Sequence, residues 1–300
     1  MKKKLLITGF GGFVAGSVVV HAKDDWEVHA IDRIDIPEEQ GNVKYYSLDL
    51  LDNKKLAKLF QEINPDALIH TAAMADIDFC QNNQDVAEKI NIGVSKSLAA
   101  LCKENGAKMI VCSTDTVFDG KKGLYTEEDS PNAINFYAET KVKAEEIVRA
   151  LRNGVVTRLS LVMGLPVMGS GNSFLARTIE KLKFGERVKF PANEIRTPID
   201  IITLGKSLVE LAGNDFVGTI HLSGNTIINR FEMAQQIAEK LGYSKDLIVA
   251  TNSNAMEGRA PRPNDASLDN SLAKKVLTTP MHSLMEGLEL TMNFKLGKWK

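Results

Sequence analysis

A chain of 300 residues, 44% hydrophobic and 25% charged, has the composition of an ordinary globular protein and can bury one large core with a smaller dependent one beside it. Its 37 basic and 38 acidic residues are mixed throughout, for a net charge of -1, which argues against nucleic acid or an anionic membrane as partner. Only Leu5-Leu6-Ile7 separates the basic start from Thr8-Gly9, too short for a signal peptide, and no later run reaches spanning length, so a cytoplasmic protein is expected.

Leu5-Leu6-Ile7-Thr8 reads as a buried strand, followed by a glycine-rich turn and an apolar helix. Val28 to Asp32 and Lys44 to Leu48 are two further strands. A helix with Leu56, Leu59, Phe60 and Ile63 on one face stops at Pro65. Ala67 to His70 is a fourth strand; Val86, Ile90 and Leu101 mark a longer helix; Met109 to Cys112 is a fifth strand. A helix from about Tyr137 to Leu151 precedes a sixth, Val155 to Leu159. Strands alternating with helices build a doubly wound parallel sheet of Rossmann type, because each parallel crossover needs a helix to return the chain.

After Gly164 the rhythm changes, and Pro166, Gly169 and Gly171 mark a loop. Further on, Asn229 and Glu232 have capping-box spacing for a helix with Ala234, Ile237, Ala238 and Leu241 on its apolar side and Gly242 at its end. Arg259-Ala260-Pro261-Arg262-Pro263 cannot be regular helix. The expected organisation is a dinucleotide-binding domain over 1–164, joined by 199–222, with a smaller α/β substrate lobe from 165–198 and 223–300.

Cys80, Cys102 and Cys112 are odd in number and widely spaced, so no disulfide framework is expected. His21, His29, His70, His221 and His282 lack ligand spacing, and no metal site is expected.

The first turn carries the first chemical signal. In Thr8-Gly9-Phe10-Gly11-Gly12-Phe13-Val14-Ala15, the small residues Gly9, Gly12 and Ala15 allow a sharp turn, a close backbone approach to a pyrophosphate, and helix-on-strand packing. The helix start behind it offers free N–H groups to the phosphates. Alone this is weak, since many glycine-rich turns are only turns. Asp32 strengthens it, closing the second strand about twenty residues on, where an acidic side chain can bind ribose hydroxyls. Asp32 would repel a 2′-phosphate and Arg33 could pair with one; the reading favours NAD over NADP.

Tyr137 and Lys141 stand four residues apart on one helical face. A phenol is a poor acid or base at neutral pH, and a neighbouring ammonium would lower its pKa. Such pairs also occur by chance. Thr114 weighs against chance, because it ends the fifth strand, and open parallel sheets bind ligands at the carboxyl ends of their strands. A hydroxyl there can hold a reacting carbonyl oxygen while Tyr137 moves its proton.

With these residues in place, the chain resembles the extended short-chain dehydrogenase/reductase superfamily, and within it dTDP-4-dehydrorhamnose reductase and its relatives. The similarity runs in order through the glycine loop, Asp49-Leu50, Thr71-Ala72-Ala73, Asn91, Ser113 to Gly120, and the Tyr137/Lys141 pair. It continues through Arg196-Thr197-Pro198, Ala260 to Pro263, and Ser267-Leu268-Asp269. The resemblance implies Thr114, Tyr137 and Lys141 as catalytic triad, and Asp49 and Leu50 beside the adenine. It also implies that Ala72, Ala73 and Met74 line the path to the nicotinamide, with Asn91 orienting the lysine or serving as a structural helix amide. Thr114 and Asp115 would meet substrate, and Arg262 would meet its diphosphate or form a structural salt bridge.

There are departures. Leu161 and Met163 stand where relatives often carry aromatics, and Gly16-Ser17 where some reductases carry a glutamate. The resemblance implies NAD(P)H-dependent reduction of a keto group on a nucleotide-linked sugar. An epimerase or dehydratase, in which the hydride returns to the substrate, and a non-catalytic cofactor-binding regulatory subunit remain the alternatives. Relatives often form homodimers through the helices bearing Asn91 and Tyr137.

Overall fold

The computed structural model describes residues 2–34, 42–168 and 172–296. Gly169 and Gly171 lie outside the described residues. Strand β1 (Lys4–Thr8) leads through the glycine turn into α1 (Phe13–Ala22), followed by β2 (Glu27–Asp32) and β3 (Val43–Ser47). Next come α2 (Asn53–Ile63), β4 (Ala67–His70), α3 (Ile77–Asn82), α4 (Gln84–Ala87), α5 (Val94–Asn105), β5 (Lys108–Thr114), α6 (Phe136–Arg149) and β6 (Gly154–Leu159). The chain then passes through β7 (Val162–Met163), α7 (Phe174–Lys183), β8 (Val188–Pro191), β9 (Ile195–Arg196), β10 (Ile199–Asp200), α8 (Ile201–Gly213) and β11 (Gly218–Leu222). The last elements are β12 (Ile228–Asn229), α9 (Arg230–Lys240), β13 (Ile248–Thr251), α10 (Ser271–Val276) and α11 (Leu284–Leu296).

Seven strands form one parallel sheet in the order β11-β6-β5-β4-β1-β2-β3. The fold is the doubly wound Rossmann type. Its apolar strands are buried on both faces: Leu5 and Ile7 point into the core under α1 and α8, while Leu6 joins Phe60, Leu68 and Leu98 under α2 and α5. Chain order reverses between β1 and β4, so a crevice opens at the carboxyl ends of these strands. The short pairs β7/β10, β8/β13 and β9/β12 and helices α7, α9 and α11 make a second cluster of structure above that edge. No helix among the described residues is long and apolar enough to cross a membrane.

The helix expected from Val86 to Leu101 differs in one physical respect. Glu88–Gly93 is a π-helical turn between α4 and α5. A π turn adds a residue and rotates the face beyond it. The buried residues are therefore Ala87, Asn91, Val94, Ser95, Leu98, Ala99 and Cys102, while Val86 is exposed.

Candidate active site

Gly9 adopts φ 81°, and its N–H donates to the Ile31 carbonyl at 2.7 Å while its own carbonyl accepts from Gly12 N at 2.8 Å. A side chain there would be strained and would stand 3.1 Å from the Ala72 backbone; one on Gly11 would meet Ile34 at 2.5 Å. The turn thus closes onto the end of β4. Gly12 starts α1 without a side-chain cap, and no acidic residue occupies the first helical turn, leaving N–H groups and a positive dipole end toward the crevice. Asp32 ties the turn to β2: its carboxylate accepts from Gly11 N at 3.0 Å and Arg33 N at 2.7 Å.

These elements border a cleft of about 590 Å³. Among the residues singled out from sequence, Gly9, Gly12, Phe13, Asp32, Arg33, Asp49, Leu50, Ala72, Ala73 and Met74 line it. Phe10 does not: its ring is buried against Tyr45, with centroids 5.1 Å apart. Gly11 serves through its N–H to Asp32. Thr71, Ile90, Val94 and Asn172 also line the cleft and were missed. Thr71 was findable, since it follows β4 as Thr114 ends β5; Asn172 comes from the other lobe and leaves no local signal. The cleft has the shape and backbone donors for a dinucleotide.

Beyond Met74 lies the second half of the site. Met74 packs against a buried cluster of Cys80, Ala87 and Tyr137. Asn135 caps α6 by accepting from Ala138 N at 2.9 Å, which fixes where Tyr137 and Lys141 enter. Both side chains are buried. Burial pushes the Tyr137 phenol well above its ordinary range; Asp115 and Cys80 push the same way, and a hydrogen bond with Thr114 opposes them. The sequence reading expected the lysine to lower this pKa. Here desolvation outweighs any such field, and the phenol keeps its proton at neutral pH. Burial lowers the Lys141 pKa, against the pull of Cys112 and Glu145. Thr114 Oγ1 accepts from Thr116 N at 3.2 Å and donates to Asp115 Oδ1 at 3.3 Å.

The π turn organises the space between the cleft and the pair. Asn91 Oδ1 accepts from Met74 N at 2.8 Å, and Nδ2 donates to Met74 O at 3.1 Å and Thr140 Oγ1 at 2.9 Å. Thr140 in turn donates to the Tyr137 carbonyl at 2.7 Å. The Asn91 amide therefore joins the cleft wall to α6 through Thr140. His70, also missed, is buried at the end of β4; burial and the Lys141 charge lower its pKa to about 3, so it is neutral. Its Nδ1 lies 2.8 Å from Thr8 Oγ1.

Asp115 is tied to β9 through Arg196. Its Oδ2 lies 3.3 Å from Arg196 Nε, Arg196 reaches Glu194 at 3.6 Å, and Glu194 meets Arg230 at 3.1 Å. Arg196 also donates to the Pro263 carbonyl at 3.1 Å. Arg230 lines a second pocket, of about 260 Å³, together with Arg177, Lys181, Lys189 and Arg259. Arg262 does not reach that pocket's wall. It is buried and donates to both oxygens of Asp78 at 2.6 and 2.8 Å, the structural salt bridge of the two roles considered for it. The departures also have local reasons. Met163 is buried in one cluster with Leu165 and Leu175, a Cβ on Gly16 would stand 3.1 Å from Met168, and Ser17 donates to the Ile201 carbonyl at 2.7 Å.

A family model described as RmlD substrate binding domain matches residues 3–295. A probable low-salt glycan biosynthesis reductase, Agl14, of Haloferax volcanii is 28% identical over 270 residues, covering 88% of this chain and 89% of that protein. The beta subunit of methionine adenosyltransferase 2 from Bos taurus is 28% identical over 281 residues, covering 90% of this chain and 81% of that protein. The crystal structure of dTDP-4-dehydrorhamnose reductase from Bacillus anthracis, in complex with NADP, has a TM-score of 0.84 at 25% identity, over 98% of this chain and 99% of that one.

Proposed function

The chain belongs to the RmlD substrate binding domain family, and from that premise we propose that it reduces a keto group on a nucleotide-linked sugar, with NADH or NADPH as hydride donor. The observation that carries the reading is that Tyr137, hydrogen-bonded to Thr114 at the end of β5, and Lys141, one turn further along α6, are both buried, and that Met74 lines the cleft and packs with Tyr137. The N-terminal part, 1–164 with 199–222, holds the dinucleotide, and 165–198 with 223–300 holds the substrate. The cofactor is NAD(H) in preference to NADP(H), on the strength of the Asp32 carboxylate at the cleft wall. Of the cations lining the second pocket, Arg230 is paired with Glu194 and Arg259 with Asp78, and Arg177, Lys181 and Lys189 supply the charge that a diphosphate requires. A homodimer and a cytoplasmic location complete the proposal.

A reduced nicotinamide in the cleft would supply the hydride. With substrate bound, Thr114 turns its hydroxyl hydrogen from Asp115 to the keto oxygen and holds that oxygen toward Tyr137. The protonated phenol passes its proton to that oxygen as negative charge develops there, a step that general acids accelerate by roughly 10²–10⁴-fold. Lys141 then stabilises the phenolate left behind. Asn91 and Thr140 keep α6 in register with Met74.

The match to a methionine adenosyltransferase subunit favours a second reading, a cofactor-binding regulatory subunit. One experiment separates the two. The protein is mixed with reduced cofactor and a panel of 4-keto nucleotide sugars, with Tyr137→Phe as control. Cofactor oxidation by the wild type, lost in the variant, supports the reductase; tight cofactor binding with no turnover on any sugar supports the subunit.

A further inference from the structure

Tyr137, Lys141 and Glu145 follow at four-residue intervals on the buried face of α6. Glu145 is fully buried and its carboxylate is enclosed. Ser113 Oγ donates to Oε1 at 2.6 Å, and Arg158 donates from Nε to Oε1 at 3.1 Å and from Nη2 to Oε2 at 2.9 Å. Arg149 Nη1 stands 3.7 Å from Oε2. Arg158 is itself 1% exposed; its guanidinium lies over the Phe118 ring at 5.0 Å, and Nη1 is 3.5 Å from His221 Nε2.

Burying an ion pair carries a heavy desolvation cost, and such a pair is weak evidence for stability. Its position argues for another role. Ser113 immediately precedes Thr114, and Glu145 lies one helical turn from Lys141, so the pair joins both strands of the site to the catalytic helix. Lys141 is buried, and the ionisable groups acting on it are His70 from β4, Cys112 from β5, and Glu145 from its own helix, with Tyr137 one turn away. His70 is neutral and Cys112 is a thiol pushed up to about 11, and the Glu145 carboxyl group, held by Ser113 and Arg158, is the remaining acidic group of that set.

We propose that Glu145 is a positioning residue of the reaction. Clamped by Ser113 and Arg158, it fixes α6 against β5 and β6 and supplies the counter-charge that lets Lys141 remain an ammonium in a buried site. This inference rests on the reading of Tyr137 and Lys141 as the catalytic pair. Without the carboxylate, the Arg158 and Arg149 cations that surround it would be left unbalanced one helical turn from Lys141 and would disfavour its charge.

Glu145→Gln keeps the shape and removes the charge, and Glu145→Gln with Arg158→Met removes both charges of the pair. Lys141 is titrated by NMR in protein carrying ¹³C at lysine Cε, its signal assigned by its loss in Lys141→Met. In Glu145→Gln the titration midpoint should fall by about one pH unit or more, and the alkaline limb of the turnover profile should fall with it. The double variant should recover most of that shift. An unmoved midpoint in folded Glu145→Gln overturns the inference, as does a double variant that shifts as far as the single one. If Glu145→Gln alone does not fold, Arg158→Met is compared with the double variant by the same titration: the midpoint is higher in Arg158→Met, which keeps the carboxylate, if Glu145 acts on Lys141, and equal midpoints refute it. The titration needs no substrate, so absent turnover would count against the catalytic reading while the effect of Glu145 stayed legible.

Discussion

Replacing Arg262 distinguishes a cation that holds the fold together from one that meets a ligand. Its guanidinium is 7% exposed and bidentate on Asp78, and Asp78 also accepts from Ala260 N at 2.9 Å, so the pair pins the proline-rich segment to α3. Hydrogen bonds to charged groups contribute about 1.5–3 kcal/mol. The Asp78 side chain is 35% exposed, and solvent screening brings the coupling down to about 1–2 kcal/mol. Arg262→Met should therefore lower the unfolding free energy by about 2 kcal/mol and the melting midpoint by a few degrees. Asp78→Asn should cost more, because it strands a buried guanidinium, whereas Arg262→Met leaves a carboxylate that reaches water.

Urea denaturation of both single variants and the double variant gives the coupling directly. The Arg262 hydrogen bonds hold the Asp78 carboxyl below its usual range. The coupling is thus complete above the unfolded-state value of about 3.9 and is lost as pH falls through the lower folded-state value. If Arg262→Met melts like the wild type but raises KM for a nucleotide sugar many-fold, the structural assignment is wrong.

Tyr137→Phe should retain cofactor affinity in calorimetry and lose roughly 10²–10⁴-fold in turnover; near-normal turnover would remove the phenol from the mechanism. Asp32→Ala should weaken NADH more than NADPH, and a wild type that binds NADPH far more tightly would reverse the preference. Burial lowers the pKa of both His70 and His221 to about 3. The unfolded chain therefore takes up protons first as pH falls below about 6.5, and stability, complete above that pH, declines toward pH 3. Between pH 7 and 5 each histidine should cost up to about 2 kcal/mol, measurable as a falling urea midpoint that flattens in a His70→Asn variant.

The central sheet was legible because its strands are buried on both faces and stand as short apolar runs, and because the glycine turn and Asp32 sit at fixed distances along the chain. The placement of Thr114 at the end of β5 and of Tyr137 and Lys141 on the buried face of α6 was legible by strand position and helix spacing. The π turn was not, since nothing local in Glu88–Gly93 marks an added residue, and it moved the buried face from Val86 to Ala87 and Asn91. The sign of the Tyr137 shift was also hidden, because desolvation depends on everything packed around the ring. The second pocket draws Arg177, Lys189, Arg230 and Arg259 from distant segments, and the choice between the two roles of Arg262 depends on Asp78, 184 residues away in the chain.

The central claim, hydride transfer to a keto sugar followed by proton donation from Tyr137, is tested most directly by isotope transfer. The wild type is incubated with reduced cofactor deuterated at the transferred position and a 4-keto nucleotide sugar, and the product is analysed by mass spectrometry. One deuterium should be bound to the former keto carbon, with one equivalent of cofactor oxidised, and Tyr137→Phe should form that product roughly 10²–10⁴-fold more slowly. An isomerised sugar with no net cofactor oxidation would contradict net reduction and indicate a returning hydride, and cofactor binding without any labelled sugar across the panel would contradict catalysis altogether.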